Sequence, residues 1–127
     1  MGWNFADTWE HNADRFGDLL ALAQGDREIT WREMDRRADG IAATLHAAGL
    51  GRGAKVAQYM YTCPEYVESM FGLFKAGFAP VNTNYRYTDD ELAYLWDNAD
   101  AEAVVFHATF TSRCAALRTR LPGIKVW

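Results

Sequence analysis

Hydrophobic positions along this 127-residue chain fall into alternating helical and extended runs, punctuated by glycine or proline. Phe5, Trp9, Ala13 and Phe16 recur at helical spacing behind Asn4, a good helix cap, and Gly17 stops the run. Leu19 to Gln24 reads as a strand, and Gly25-Asp26 turns it into Glu28 to Thr30, a small hairpin. Thr30-Trp31-Arg32-Glu33 is a capping box, in which the threonine hydroxyl and the glutamate satisfy each other's end of the first turn. The helix it opens places Met34, Ala38, Ile41, Ala42, Leu45 and Ala48 on one face and ends at Gly49.

Beyond Gly51-Arg52-Gly53 the pattern becomes strictly alternating. A strand is predicted over Lys55 to Tyr61. Pro64 opens a helix to about Ala76, with Tyr66, Val67, Met70, Phe71 and Phe74 as its apolar face and Gly77 as its stop. Phe78 to Thr83 is a short apolar strand. Thr88-Asp89-Asp90-Glu91 is a second capping box, with Leu92, Leu95, Trp96 and Ala99 facing inward. Ala103 to His107 is nearly all apolar, as a strand covered on both faces should be. A helix over Thr111 to Leu121, a Pro122-Gly123 stop and a strand starting at Ile124 complete the order. Such alternation predicts an α/β fold: a layered, mostly parallel sheet flanked by helices, preceded by a small helix and hairpin.

Composition adds exclusions. Half of the residues are hydrophobic and 24% are charged, so residues 1–127 can form a single core-bearing domain. The net charge of −4 is spread along the chain without a basic stripe, so no nucleic-acid partner is predicted. No apolar run approaches the roughly 18 residues of a membrane span. The first ten residues carry Asp7 and Glu10 instead of a basic segment, so no signal peptide is expected. Cys63 and Cys114 are far apart, which fits two free thiols in a cytoplasmic protein. The three histidines are scattered and define no metal site.

Candidate chemistry is sparse. The glycines at 49, 51 and 53 leave a helix and enter a strand, the reverse of a phosphate loop, so a helix stop and turn is the better reading. Cys63 precedes a helix N-terminus but has no recognisable base partner, and is read as a buried or capping thiol. His107 stands near the carboxyl end of a strand and is read as structural. Asn82-Thr83-Asn84-Tyr85-Arg86-Tyr87 differs: it mixes amides, phenols and a guanidinium in a loop at the edge where parallel sheets bind ligands. A solvated turn whose asparagines bond the backbone remains the competing reading.

Five segments, in order, resemble the amino-terminal part of adenylate-forming acyl-CoA synthetases. Ile29-Thr30-Trp31-Arg32-Glu33-Met34 is similar to the family's "(L/I)T(Y/W)xEL" segment, and Gly51 to Ala57 to its "GVxxGDxVA" turn and strand. Cys63-Pro64-Glu65-Tyr66-Val67 resembles "N(S/C)PE(F/Y)V". Phe74 to Arg86, containing Lys75-Ala76-Gly77 and Pro80-Val81-Asn82, is similar to the "KAGAxxVPxNxR" core motif in its acyl-CoA ligase form. Glu91 to Val105 continues the likeness.

The resemblance implies a partial amino-terminal subdomain of a ligase. Such a ligase uses ATP and Mg²⁺ to turn a carboxylic acid into an acyl-adenylate, and then transfers the acyl group to CoA. It implies that Asn84, Tyr85 and Arg86 lie near the CoA channel, with no catalytic and no metal-binding residue in the chain. The Asn-x-Asn-Tyr-Arg-Tyr form suggests a fatty or steroid-type acid. The family's Ser/Thr/Gly-rich phosphate loop and its mobile-domain lysine have no counterpart here, so the chain alone is expected to be inactive. Two alternatives stand beside this reading. A stand-alone binding or dimerisation module would show a capped sheet edge. A flavodoxin-type nucleotide domain would need a glycine-rich strand-to-helix loop. An unfinished edge after the last strand is expected for the partial ligase; it would favour self-association, so a homo-oligomer is admitted.

Overall fold

The structure, a computed structural model, describes residues 2–127. Helix α1 (Phe5–Phe16) opens on a capping box: Asn4 Oδ1 accepts from the Ala6 amide at 2.6 Å, and Asp7 takes the Asn4 amide at 2.8 Å. Its buried face is Ala6 and Ala13, flanked by Trp9. Phe5 and Phe16, predicted to point inward, are largely exposed. Small residues let the helix lie close against α2 (Trp31–Ala47) and α3 (Pro64–Ala76), and the two phenylalanines fall to its flanks.

Strands β1 (Leu20–Gln24) and β2 (Arg27–Thr30) form the expected antiparallel hairpin, with Gln24 opposite Arg27 and Gly25 in the left-handed region. The hairpin is tied to α3 by Arg27, whose Nη2 lies 2.5 Å from Glu65 Oε1. That hydrogen bond is the main cause holding the Glu65 carboxyl down at about 2, from an ordinary 4.5. A depressed carboxyl stabilises the fold above its unfolded value and loses that contribution as pH falls through its folded value. Acid unfolding of the chain is therefore expected to steepen between about pH 4.5 and 2. Glu65→Gln should flatten that limb in a urea titration repeated across the window; an unchanged pH profile would assign the acid sensitivity elsewhere.

Beyond the hairpin the chain forms a three-stranded parallel sheet. Strand β3 (Lys55–Tyr59) lies at its centre, β4 (Ala79–Asn82) on one side and β5 (Ala101–Phe106) on the other. Lys55 pairs with Ala79 and with Ala101, so the three strands start level. Each is displaced or shortened relative to its sequence expectation: β3 stops at Tyr59 because Met60 and Tyr61 bend away, and β4 stops before Thr83. Side chains alternate strictly along β3. Val56 faces α2 and α3 together with Ala103, whereas Ala57 and Tyr59 face α4 (Asp89–Asn98) and α5 (Thr111–Arg120). Two layers of helix therefore cover the two faces of the sheet.

The predicted last strand is reduced to a single parallel bridge. Val126 pairs with Ala103, with the Val104 amide donating to Val126 O at 2.9 Å. The rest of the outer β5 edge borders an open groove of about 970 Å³, walled by Ile41, Leu45, Met60, Val105 and Trp127. Arg37 and Glu68 stand in it as an ion pair at 2.8 Å, with Glu68 buried.

Helix α3 also corrects the sequence reading. It packs against the sheet on one side and α2 on the other, so Glu68, Ser69 and Gly72 are buried with Phe71 and Leu73, while Tyr66, Val67, Met70 and Phe74 are only half-buried. Ser69 is satisfied by Gln58, a fully buried side chain of β3 whose Nε2 donates to Ser69 Oγ at 2.6 Å and Tyr66 O at 2.9 Å. Lys75, near the end of α3, is enclosed by Asp35 and Asp39 of α2 and Glu10 of α1, at 2.6, 2.7 and 3.1 Å. Its ammonium also sits 4.7 Å from the centre of the Phe71 ring.

Candidate functional site

In an open parallel sheet, ligands bind outside the carboxyl ends of the strands, where neighbouring strands feed helices on opposite faces. Here β3 leads to α3 on one face, and β5 leads to α5 on the other. The crevice between them is filled by aromatic rings. Tyr61, just past β3, packs edge-on against His107 at 5.6 Å and tilts against Phe110 at 5.1 Å, both of which follow β5. Tyr85, from the loop after β4, meets the same Tyr61 ring at 4.9 Å. Three separate strand ends thus converge on one aromatic ledge. Tyr61 and Tyr85 remain more than a third exposed, so apolar surface is presented to solvent at the binding edge.

The loop of residues 83–88 carries the residues picked out from sequence. Asn84 does what the turn reading requires: its Oδ1 accepts from the Arg86 amide at 2.9 Å, and its carbonyl accepts from Tyr87 N at 3.1 Å. Tyr85 joins the aromatic ledge. Arg86 lies over the Tyr85 ring, 5.4 Å from its centre, and makes no ion pair among the described residues. An exposed guanidinium without a carboxylate partner is free to take a phosphate or another anion. Structural turn and binding surface are therefore compatible in this loop, because Asn84 serves the backbone while Tyr85 and Arg86 face outward.

The loop is rooted in the core. Thr83 is buried, and its Oγ1 accepts from the indole N–H of the fully buried Trp96 at 3.0 Å. At the other end the Thr88 capping box holds the start of α4, the Thr88 amide donating to Glu91 Oε2 at 2.7 Å.

The other sequence candidates fall outside this site or serve structure. His107 Nδ1 accepts from the Thr109 amide at 3.2 Å, capping the 3₁₀ turn Ala108–Phe110. Its ring nonetheless borders the ledge. Cys63 stands at the N-cap of α3 without a side-chain cap bond, and burial raises its thiol pKa, the opposite of an activated nucleophile. Cys114 is pushed up to about 11 by burial in the core. In the glycine turn, Gly49 and Gly53 occupy left-handed conformations, and the Gly53 amide is used by Gly77 O at 2.8 Å. A phosphate cradle is not built there. Among the described residues no group of three or more His, Cys, Asp or Glu can hold a metal ion, and no described helix is long and apolar enough to cross a membrane. Sequence reasoning missed Tyr61 and Phe110; their positions just past strand ends were the available signal.

A doubly wound α/β half-sheet with an aromatic, cation-bearing ledge at its carboxyl edge is the class these features define. The family model for the AMP-binding enzyme matches residues 9–125, and the chain belongs to that family. It is 37% identical over 122 residues to the medium/long-chain-fatty-acid–CoA/3-oxocholest-4-en-26-oate–CoA ligase of Mycobacterium marinum, covering 96% of this chain and 22% of that protein. It is 34% identical over 125 residues to the 3-oxocholest-4-en-26-oate–CoA ligase of Rhodococcus rhodochrous, covering 98% of this chain and 22% of that one. Among solved structures, the anthranilate CoA ligase AuaEII in complex with anthranoyl-AMP superposes with a TM-score of 0.91 at 26% identity, over 98% of this chain and 25% of that chain. The chain therefore spans about a fifth of the length of the curated relatives it matches.

Proposed function

We propose that this chain is the amino-terminal part of an acid–CoA ligase that joins a fatty or steroid-type carboxylic acid to CoA through an acyl-adenylate. The observation that carries the reading is the family match over residues 9–125, with relatives that are CoA ligases for fatty and steroid-type acids. Support from the geometry comes from the 83–88 loop: an unpaired Arg86 guanidinium beside the Tyr85 and Tyr61 rings suits the phosphate and the apolar arm of a CoA-type ligand. The ATP and Mg²⁺ chemistry of such a ligase is placed in the rest of the protein. No ATP step is assigned to residues 9–125, and the chain alone is expected to form no thioester. The open β5 edge and its groove favour a partial ligase over a closed stand-alone module.

In a ligase that carries this chain, Arg86→Ala is expected to lower kcat/KM for CoA about 10- to 100-fold, from about 1.5–3 kcal/mol of one charge-assisted contact. Pyrophosphate exchange, which needs only acid and ATP, should stay near normal. If both half-reactions fall together, or neither changes, the loop does not face CoA. Thioester formation from acid, ATP and CoA by the purified 127-residue chain would overturn the assignment of the chemistry to the rest of the ligase.

A further inference from the structure

The tip of the 83–88 loop is held chiefly by itself. The Arg86 and Tyr87 amides both donate to Asn84, and Thr88 bonds Glu91 in the helix it opens. Among the described residues, one side chain from a distant element hydrogen-bonds to residues 84–88. It is Arg113 of α5, whose Nη1 donates to Tyr87 O at 3.2 Å. The same Nη1 donates to Tyr59 Oη at 3.0 Å, and Nε lies 2.8 Å from Asp89 Oδ1, in the first turn of α4. Tyr59 is fully buried on the central strand, stacked on Phe110 at 4.2 Å and edge-on to Trp96 at 5.6 Å. One guanidinium therefore joins the central strand of the sheet to the exit of the loop. A planar fork makes these contacts together, whereas an ammonium presents a single point charge.

We infer that Arg113 is a positioning residue, a strut that fixes the loop bearing Asn84, Tyr85 and Arg86 against Tyr59 so that these side chains are pre-set for the ligand. The inference rests on the reading of that loop as the CoA approach. It acts by sparing the ligand the cost of ordering the loop. Arg113 touches the loop at the Tyr87 carbonyl and is itself bonded to Tyr59, so its effect on the ligand is indirect.

The test uses two variants, Arg113→Lys and Tyr59→Phe, so that a change at either end of the strut can be compared. In the 127-residue chain, amide hydrogen exchange at Arg86 and Tyr87 is expected to quicken about 10-fold in both variants, while Ala57 and Gln58 in β3 keep their protection. In a ligase that carries the chain, KM for CoA should rise by a similar factor with pyrophosphate exchange unchanged, a split that a general loss of stability would not produce. Unchanged exchange at Arg86 and Tyr87, or faster exchange throughout the sheet, overturns the strut. Faster exchange in the loop with unaltered CoA kinetics overturns the positioning role, while the Arg86→Ala variant decides separately whether CoA lies at this loop.

Discussion

Lys75→Met is expected to destabilise the chain by about 3 kcal/mol, the lower end of the range for breaking a buried ion pair. Only 9% of the Lys75 side chain is exposed, and it faces three carboxylates from two different helices. Burial by itself would lower its pKa, but the bonds to Asp35, Asp39 and Glu10 outweigh it and raise the pKa above the ordinary 10.5. Removing the ammonium leaves three like charges together, one of them an Asp35 oxygen that is shut off from solvent. Glu10 and Asp39 are about half exposed or more, so water relieves part of the repulsion. Methionine keeps the packing against Phe71, which isolates the charge as the cause. A loss of about 3 kcal/mol should lower the melting temperature by about 10 °C. The sign with pH is fixed too. A raised lysine stabilises the fold at and below its unfolded value, and that support fades as pH climbs past 10.5 toward the folded value. The wild-type advantage over the methionine variant should therefore hold at neutral pH and shrink in strong alkali. A variant within about 1 kcal/mol of wild type would show that the cluster behaves as screened surface charge.

Gly72 should respond in the opposite sense to the usual helix rule. An alanine in place of a helical glycine ordinarily gains about 1 kcal/mol. At Gly72 a Cβ would meet Ala38 O and the Ile41 side chain at 2.9 Å, because α2 and α3 cross there nearly backbone to backbone. Neither atom is the end of a flexible chain, so the helices must part. Gly72→Ala should lose about 1–2 kcal/mol net, and Gly72→Val about 3 kcal/mol, by overpacking. Gly40, in the middle of α2, is the internal control: nothing lies within 4 Å of its would-be Cβ and the position is exposed. Gly40→Ala should therefore gain about 0.5–1 kcal/mol. Denaturant titrations of the three variants check both signs at once. A stabilised Gly72→Ala would mean that the crossing is looser than its geometry.

Much of this architecture was legible because its signals are local. The boxes at Thr30 and Thr88 need only residues three apart, and both form as read. Gly77 stops α3 in a left-handed conformation, as a terminal glycine should. What could not be read was decided by neighbours distant in sequence. Phe5 and Phe16 look like core residues on hydrophobicity, yet Ala6 and Ala13 make the contact because α1 lies close against its partners. Glu68 and Ser69 look like solvent positions, yet α3 is sandwiched and Gln58 and Arg37 meet them. Of the ledge, the 83–88 loop was visible in its composition. Tyr61 and Phe110 became part of it only once β3 and β5 were adjacent. Arg113 reads as one more charge on a surface helix; only the fold brings it to Tyr59 and Tyr87.

The strand order has a consequence for biosynthesis. Strand β3 leaves the ribosome first, but both of its partners come later: Lys55 pairs with Ala79 and then with Ala101. At about 5–20 residues per second, its apolar run waits for seconds with both edges open. Pairing across such separations is also slow to form once the chain is complete. Pro80, on the outer strand β4, has no amide to offer a foreign strand. The nascent chain thus carries its own guard on the β4 flank of the sheet, while the β5 flank is met late, by Lys125 and Val126, whose amides both donate to Glu102 O.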